Sequence, residues 1–218
     1  MYYIIGDIHG QFLKLKKLID LIAVHITADD TIIFLGDYID RGSSSFEVIE
    51  FLSGLPELYK TCFLKGNHED MFLDYYNTGK GLELYLRNGG EATISSYKEN
   101  TGEMKLPEKH QVFFSNLKLY YEGEDFIAVH AGLNPEIADP GKHDSEELLW
   151  IREKFFHARH KWEKTIIFGH TPTLLLHNSS SIFHDPGRNI IGLDTGAMYD
   201  GSPLTCLRWP DKKILRAV

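Results

Sequence analysis

The chain has 218 residues, 43% hydrophobic and 25% charged, with a formal net charge of −8. That length suits one domain with a large core, and an acidic balance without any long Lys/Arg run argues against nucleic acid as a main partner. No stretch approaches the roughly 20 apolar residues of a membrane-crossing helix, and the apolar residues 1–5, with no basic segment ahead of them, are too few for a signal peptide.

In chain order, the apolar run Tyr2–Ile5 has the length and residue types of a buried strand and stops at Gly6-Asp7-Ile8-His9-Gly10. Leu15, Leu18, Ile19 and Ile22 then fall at helical spacing, predicting an amphipathic helix whose positive end faces that cluster. Run 31–35 ends at Gly36-Asp37-Tyr38-Ile39-Asp40-Arg41-Gly42, and Val48, Ile49 and Leu52 mark a second helix. Run 62–64 leads to Lys65-Gly66-Asn67-His68-Glu69. Residues 71–76 and Leu82–Arg87 read as helices, Asn88-Gly89-Gly90 breaks the pattern, 91–97 resumes it, and the polar segment 100–107 reads as a loop. Phe113, Phe114 and Leu117 mark a further helix, after which Phe126–Val129 meets His130-Ala131-Gly132. Asp144-Ser145-Glu146-Glu147 is an acidic, cap-like start to a helix through Phe156. Thr165–Phe168 then meets Gly169-His170-Thr171-Pro172, and run 190–193 meets Asp194-Thr195-Gly196. The end reads as β, with Leu204–Trp209 and 214–217 joined by a turn at Pro210-Asp211. No linker divides the chain, so residues 1–218 read as a single domain.

Six times, then, an apolar run stops at a glycine-flanked polar cluster. In open α/β sheets, ligands sit beyond the carboxyl ends of the strands, so the pattern predicts one site built from Asp, Asn and His at several strand ends. Asp7 and His9 can converge on one ion, and Asp37 is a carboxylate able to bridge two. Asn67, His130 and His170 add an amide oxygen and two imidazoles. Such mixed oxygen and nitrogen ligation suits Mn²⁺, Fe or Zn²⁺ better than Ca²⁺. Two ions about 3.5–4 Å apart would clamp a phosphoryl group for in-line attack. His68, beside Asn67, sits where a general acid belongs, and the Asp40 carboxylate favours its charged form. Arg41 offers a planar fork for phosphate oxygens.

The segments at 6–10, 36–42, 66–69, 130–133 and 169–172 resemble, in order, the five motifs of the PPP-type metallophosphoesterases, the superfamily of the serine/threonine protein phosphatases. The short length, Asn88-Gly89-Gly90 and Leu193-Asp194-Thr195-Gly196-Ala197 are most similar to its bacterial and bacteriophage branch, which includes the phage lambda phosphatase. The resemblance implies an α/β, calcineurin-like metallophosphoesterase fold: two mixed β-sheets in a sandwich flanked by helices. It implies Asp7 and His9 on a first metal, Asp37 bridging, and Asn67, His130 and His170 on a second. His68 would be the acid, oriented by Asp40, with Arg41 and Asn67 holding phosphate. The segment Leu148-Leu149-Trp150-Ile151-Arg152 resembles the one that supplies a further phosphate-gripping Arg, which makes Arg152 the choice here. Two manganese ions are the cofactors the branch implies, with iron or zinc as alternatives.

The expected activity is hydrolysis of phosphoserine and phosphothreonine in proteins, with small aryl phosphates accepted. A metal-bridging hydroxide would attack phosphorus directly, without a covalent phosphoenzyme. Symmetrical diadenosine tetraphosphate hydrolases carry similar motifs and provide the alternative substrate class, and cyclic-nucleotide phosphodiesterase activity is a further use of the same machinery. A non-catalytic binding protein on this fold would normally lack a ligand or the acid, and none is missing.

Other residues read as ordinary structure. Cys62 and Cys206 have no Cys or His at metal spacing and are expected to be reduced thiols in a cytoplasmic protein. His157 and His160 are expected on a solvated, basic helix face, and His25, His110, His143, His177 and His184 to be structural or exposed. Asp194 is expected to support a turn or the site's periphery. Tyr75, Tyr76 and Tyr85 read as core rather than substrate groove, and Glu69 as a helix-start carboxylate.

Overall fold

The computed structural model describes residues 1–218. Three of the apolar runs become β1 (Tyr2–Ile5), β2 (Thr31–Phe34) and β3 (Lys60–Phe63), all parallel. The later run Leu204–Trp209 (β9) pairs antiparallel with β1, and Lys213–Ala217 (β10) closes the edge, giving the order β10-β9-β1-β2-β3. The second sheet also holds three parallel strands but carries an antiparallel strand at each edge. Phe126–Val129 (β5), Thr165–Phe168 (β6) and Ile190–Gly192 (β8) are parallel, and Tyr120–Glu122 (β4) and Phe183–Asp185 (β7) add antiparallel edges, in the order β4-β5-β6-β8-β7. The two edge strands β4 and β7 were not expected: each is three residues long, without an apolar run to announce it.

Alternation along the strands sorts the core. Ile4, Ile33 and Leu207 of the first sheet meet Phe126, Ala128, Ile167 and Ile191 of the second, so one face of each sheet is spent on the other. Tyr3, Ile5, Ile32 and Phe34 point the opposite way. They pack beneath α1 (Phe12–Ala23), α2 (Ser45–Gly54), α3 (Asn67–Thr78), α4 (Leu82–Arg87), α5 (Gly90–Thr101) and α6 (Glu108–Ser115). Ile127, Val129, Ile166, Phe168 and Ile190 face a second helical layer containing α7 (Ser145–Trp150), α8 (Glu153–Phe156) and α9 (Thr173–His177). Strands buried on both faces explain why the runs are continuously apolar.

Four expectations need correction. The helix predicted through Phe156 is two helices, broken at Ile151-Arg152, where Arg152 leaves the helical region (φ −135, ψ −83). α8 ends at Phe156, so His157 and His160 are not on a helix. α5 continues to Thr101, which shortens the expected loop, and Leu117 lies beyond the end of α6. Both cysteines are unpaired, and no helix is long and apolar enough to cross a membrane.

Candidate active site

All the predicted clusters lie at the carboxyl ends of β1, β2, β3, β5, β6 and β8. There the chain turns sharply. Of the eight non-glycine residues with positive φ, five are His9, Asp37, Asp40, Arg41 and His170. Each such conformation costs on the order of 1–2 kcal/mol and persists where surrounding contacts over-determine it. Those contacts are visible: the N–H groups of Ile8 and His9 donate to Asp37 O, and Arg41 N–H donates to Gly89 O. The Glu69 carboxylate accepts from Asp37 N–H (2.8 Å), Tyr38 N–H (2.8 Å) and Gly66 N–H (2.9 Å). Glu69 therefore does more than begin a helix; it braces the Asp37 loop from within. Gly66 and Gly169 allow the closest approaches, since a Cβ on either would stand 2.1 Å from Asp37 Oδ1 or Asp7 Oδ1.

Hydrogen bonding fixes two imidazoles in one tautomer. His130 Nδ1 lies 2.8 Å from Leu35 O, and His9 Nδ1 lies 3.0 Å from Ile39 O. A carbonyl only accepts, so both Nδ1 atoms carry the hydrogen and both Nε2 atoms of the neutral rings present lone pairs. His130 Nε2 then faces other acceptors, Asn67 Oδ1 at 2.9 Å and Asp37 Oδ1 at 3.4 Å. His9 Nε2 stands 3.6 Å from Asp37 Oδ2, with Arg41 Nη1 nearer at 3.0 Å, and His170, which accepts Arg152 Nε–H at Nε2, donates from Nδ1 to Asn67 Oδ1 at 2.8 Å. Asp7 Oδ2 accepts the His170 N–H at 2.9 Å, while Oδ1 is buried without a partner. The His130 lone pair aimed at oxygen lone pairs, and the partnerless Asp7 Oδ1, call for cations in a buried place. The ligand atoms form two tight groups, His9-Asp37-His68 and Asp37-His130-His170, which share Asp37. Asp7 lies outside both groups, and its orphaned oxygen is what fits it to a cation.

Burial pushes His9, His130 and His170 below the usual imidazole range, which keeps them neutral and able to ligate. Burial also works against ionised Asp37, and it is positive charge at the positions of His130, His68, His9 and His170 that holds its carboxyl below the usual range, a charge a cation would supply where those rings are neutral. Burial, then the charges of Asp194 and Asp37, raise the Asp7 carboxyl. Burial takes Asp194 up to about 6. A cation placed among these three carboxylates would relieve their mutual repulsion. His68 goes the other way from the remaining site imidazoles: burial opposes its charge, but Asp37 and the hydrogen bond to Asp40 outweigh it. His68 Nδ1 is 2.7 Å from Asp40 Oδ2.

Arg41 and Arg152 line one polar cavity of about 270 Å³ with Asp37, Asn67, His68, Asn88, Trp150 and His170. Arg41 Nη1 and Nη2 lie 3.0 Å from His9 Nε2 and His68 Nε2, and Arg152 Nε–H donates to His170 Nε2 at 3.0 Å. Arg152 lies in the break between α7 and α8. Thus Asp7, His9, Asp37, Asp40, Arg41, Asn67, His68, His130, Arg152 and His170 all converge. Asp194 supports a turn by accepting Gly196 N–H, His110 and His143 are buried and hydrogen-bonded, and His25, His177 and His184 are exposed.

Several contributors escaped the sequence. Tyr85 donates to Asp40 Oδ1 at 2.7 Å and Thr93 at 2.6 Å, and Trp150 and Asn88 form part of the mouth. Tyr85 is core, as its helical spacing indicated, but its hydroxyl reaches the site. Trp150 stood two residues before Arg152 in a segment already singled out.

Known proteins carry the same pattern. The chain is 28% identical to an asymmetrical bis(5′-nucleosyl)-tetraphosphatase, PrpE, of Oceanobacillus iheyensis, over 97% of this chain and 90% of that one. It is 35% identical to the serine/threonine-protein phosphatase 2B catalytic subunit A2 of Saccharomyces cerevisiae, over 61% of this chain and 20% of that longer one. A solved structure described as a putative diadenosine tetraphosphatase shares the fold, with a TM-score of 0.71 at 20% identity, covering 99% of this chain and 92% of that one. The family described as calcineurin-like phosphoesterase matches residues 2–198, and with the strand-end cluster it covers, the chain belongs to that family.

Proposed function

We propose that the protein is a dinuclear metal-dependent phosphoesterase whose first substrate class is a dinucleoside polyphosphate, split asymmetrically. The observation that carries the metal chemistry is the locked tautomer of His130, which directs its Nε2 lone pair at the oxygens of Asn67 and Asp37, together with the unpartnered Asp7 Oδ1. Asp7 and His9 would hold one ion, Asn67, His130 and His170 the other, and Asp37 would serve both. Manganese is the metal to try first, and the donor set also accommodates iron or zinc. Bound ions supply Lewis-acid polarisation of a phosphoryl oxygen and a more acidic water.

The chain's own residues do the rest. Arg41 and Arg152, aided by the Asn67 amide, bind phosphoryl oxygens and orient phosphorus. Entry of an anion draws the Arg41 fork away from His9 and His68 onto the phosphate. His68 Nε2 then carries the proton that goes to the leaving oxygen, while Asp40 holds Nδ1–H. The polyphosphate reading draws on relatives that match nearly end to end and on the polar, doubly basic mouth. A second reading, hydrolysis of phosphoserine and phosphothreonine within the PPP branch, is favoured by the 35% identical stretch shared with a protein phosphatase subunit.

A turnover panel with Mn²⁺ separates the readings. Diadenosine tetraphosphate is expected to give ATP and AMP, at a higher kcat/KM than phosphoserine or phosphothreonine peptides. Two molecules of ADP would mean symmetrical cleavage, and a higher kcat/KM for the peptides would replace the polyphosphate reading with the second one.

A further inference from the structure

Asp40 is fully buried, and its two oxygens have divided tasks. Oδ2 faces His68 Nδ1 at 2.7 Å. Oδ1 receives two hydroxyl groups, Tyr85 at 2.7 Å and Thr93 at 2.6 Å. The Asp40 N–H, in its left-handed conformation (φ 71), donates to Thr93 Oγ1 at 2.9 Å and Ser45 Oγ at 3.1 Å. Ser45 Oγ lies 3.0 Å from Thr93 Oγ1, so a consistent chain runs from the Ser45 hydroxyl to Thr93 and from Thr93 to Asp40. Gly89, between α4 and α5, accepts the Arg41 N–H at 3.1 Å and leaves room for the Arg41 stem, where a Cβ would come within 2.8 Å of Arg41 Cγ. One hairpin of helices thus contacts both the carboxylate behind the imidazole and the neighbouring guanidinium.

We propose that the α4–α5 hairpin positions the proton donor: Tyr85 and Thr93 occupy Asp40 Oδ1, which leaves Oδ2 to hold His68 Nδ1–H and aims Nε2 at the leaving oxygen. This rests on the reading of His68 as the acid. Tyr85 and Thr93 touch no reacting atom in this scheme; they are positioning residues acting through Asp40. Without them the carboxylate can rotate and share itself between alternative partners, and the imidazole loses its fixed direction. An acid that is misdirected matters most when the leaving group is a poor one.

The test uses the full chain loaded with Mn²⁺, with p-nitrophenyl phosphate as the ester of a good leaving group and phenyl phosphate as that of a poor one. Tyr85→Phe keeps the ring that packs in the core, and Thr93→Val keeps the shape. Each is expected to lower kcat for phenyl phosphate about tenfold, as for loss of one hydrogen bond to a charged group. KM, bound metal and p-nitrophenyl phosphate turnover should change far less. In a His68→Asn background, Tyr85→Phe should cause no further loss, because the group it positions is gone. If His68→Asn slows both esters equally, the acid reading itself has failed. If His68→Asn is selective but Tyr85→Phe and Thr93→Val slow both esters alike, leave both unchanged, or add their loss to that of His68→Asn, the positioning role alone is overturned.

Discussion

Asp37 Oδ1 lies 3.4 Å from His130 Nε2, and Oδ2 lies 3.6 Å from His9 Nε2, so its two oxygens face the two donor groups. His68 reaches the same carboxylate only at 3.9 Å and is tied instead to Asp40. This separates ligand from acid. His68→Asn is therefore expected to retain its bound metal, by elemental analysis, while kcat falls about 10²–10⁴-fold; loss of metal in that variant would assign His68 to the ligand set. The ligands were legible in the sequence because each follows an apolar run and is flanked by glycine, a signature local to a few residues. Glu69, Tyr85 and Thr93 were not. Their partners lie 32, 45 and 53 residues away, and in one sequence a bracing carboxylate looks like a helix start and a hydrogen-bonding tyrosine like core.

At the scale of elements, the junction of α7 and α8 carries the clearest lesson. Leu148, Leu149 and Phe155 are all buried, so the apolar pattern continues across Ile151-Arg152 with neither Gly nor Pro to mark a stop. At the break Arg152 takes non-helical dihedrals and its Nε–H donates to His170 Nε2, a tertiary contact that no local signal in the sequence announces. Arg152→Ala should consequently leave the far-UV circular dichroism and metal content intact. KM should rise about tenfold or more, the usual scale for losing one charged hydrogen-bonding partner. Unchanged KM and kcat would remove Arg152 from the phosphate site. The strands were easier to read than this junction, since runs such as Thr165–Phe168 are buried along their whole length and admit no other residue types.

For the molecule as a whole, the two sheets contribute ligands from opposite sides of one seam: Asp7, His9, Asp37 and Asn67 follow strands of the first, His130 and His170 strands of the second. The packing of Ile4, Ile33, Leu35, Ile167, Ile191 and Leu207 between the sheets sets the distance between those two groups. Ile167→Ala removes buried methyl groups from that layer and is expected to cost about 2–5 kcal/mol in urea unfolding. The affinity for Mn²⁺ should weaken with it, because the loops of both sheets must meet. A destabilised variant with unaltered metal affinity would show that the centre is held by its loops alone. The sandwich and its strand ends followed from the sequence pattern and the motif resemblance, while the short edge strands β4 and β7 did not, having too few residues to show a period.

A pair of cations sharing Asp37 at this seam is the centre of the proposed chemistry. Anomalous diffraction at the manganese edge, from crystals grown with Mn²⁺, measures that directly. Two peaks about 3.5–4 Å apart, one beside His9 and one beside His130, with the Asp37 carboxylate between them, are the predicted result. A single peak, or peaks away from Asp37, would contradict it.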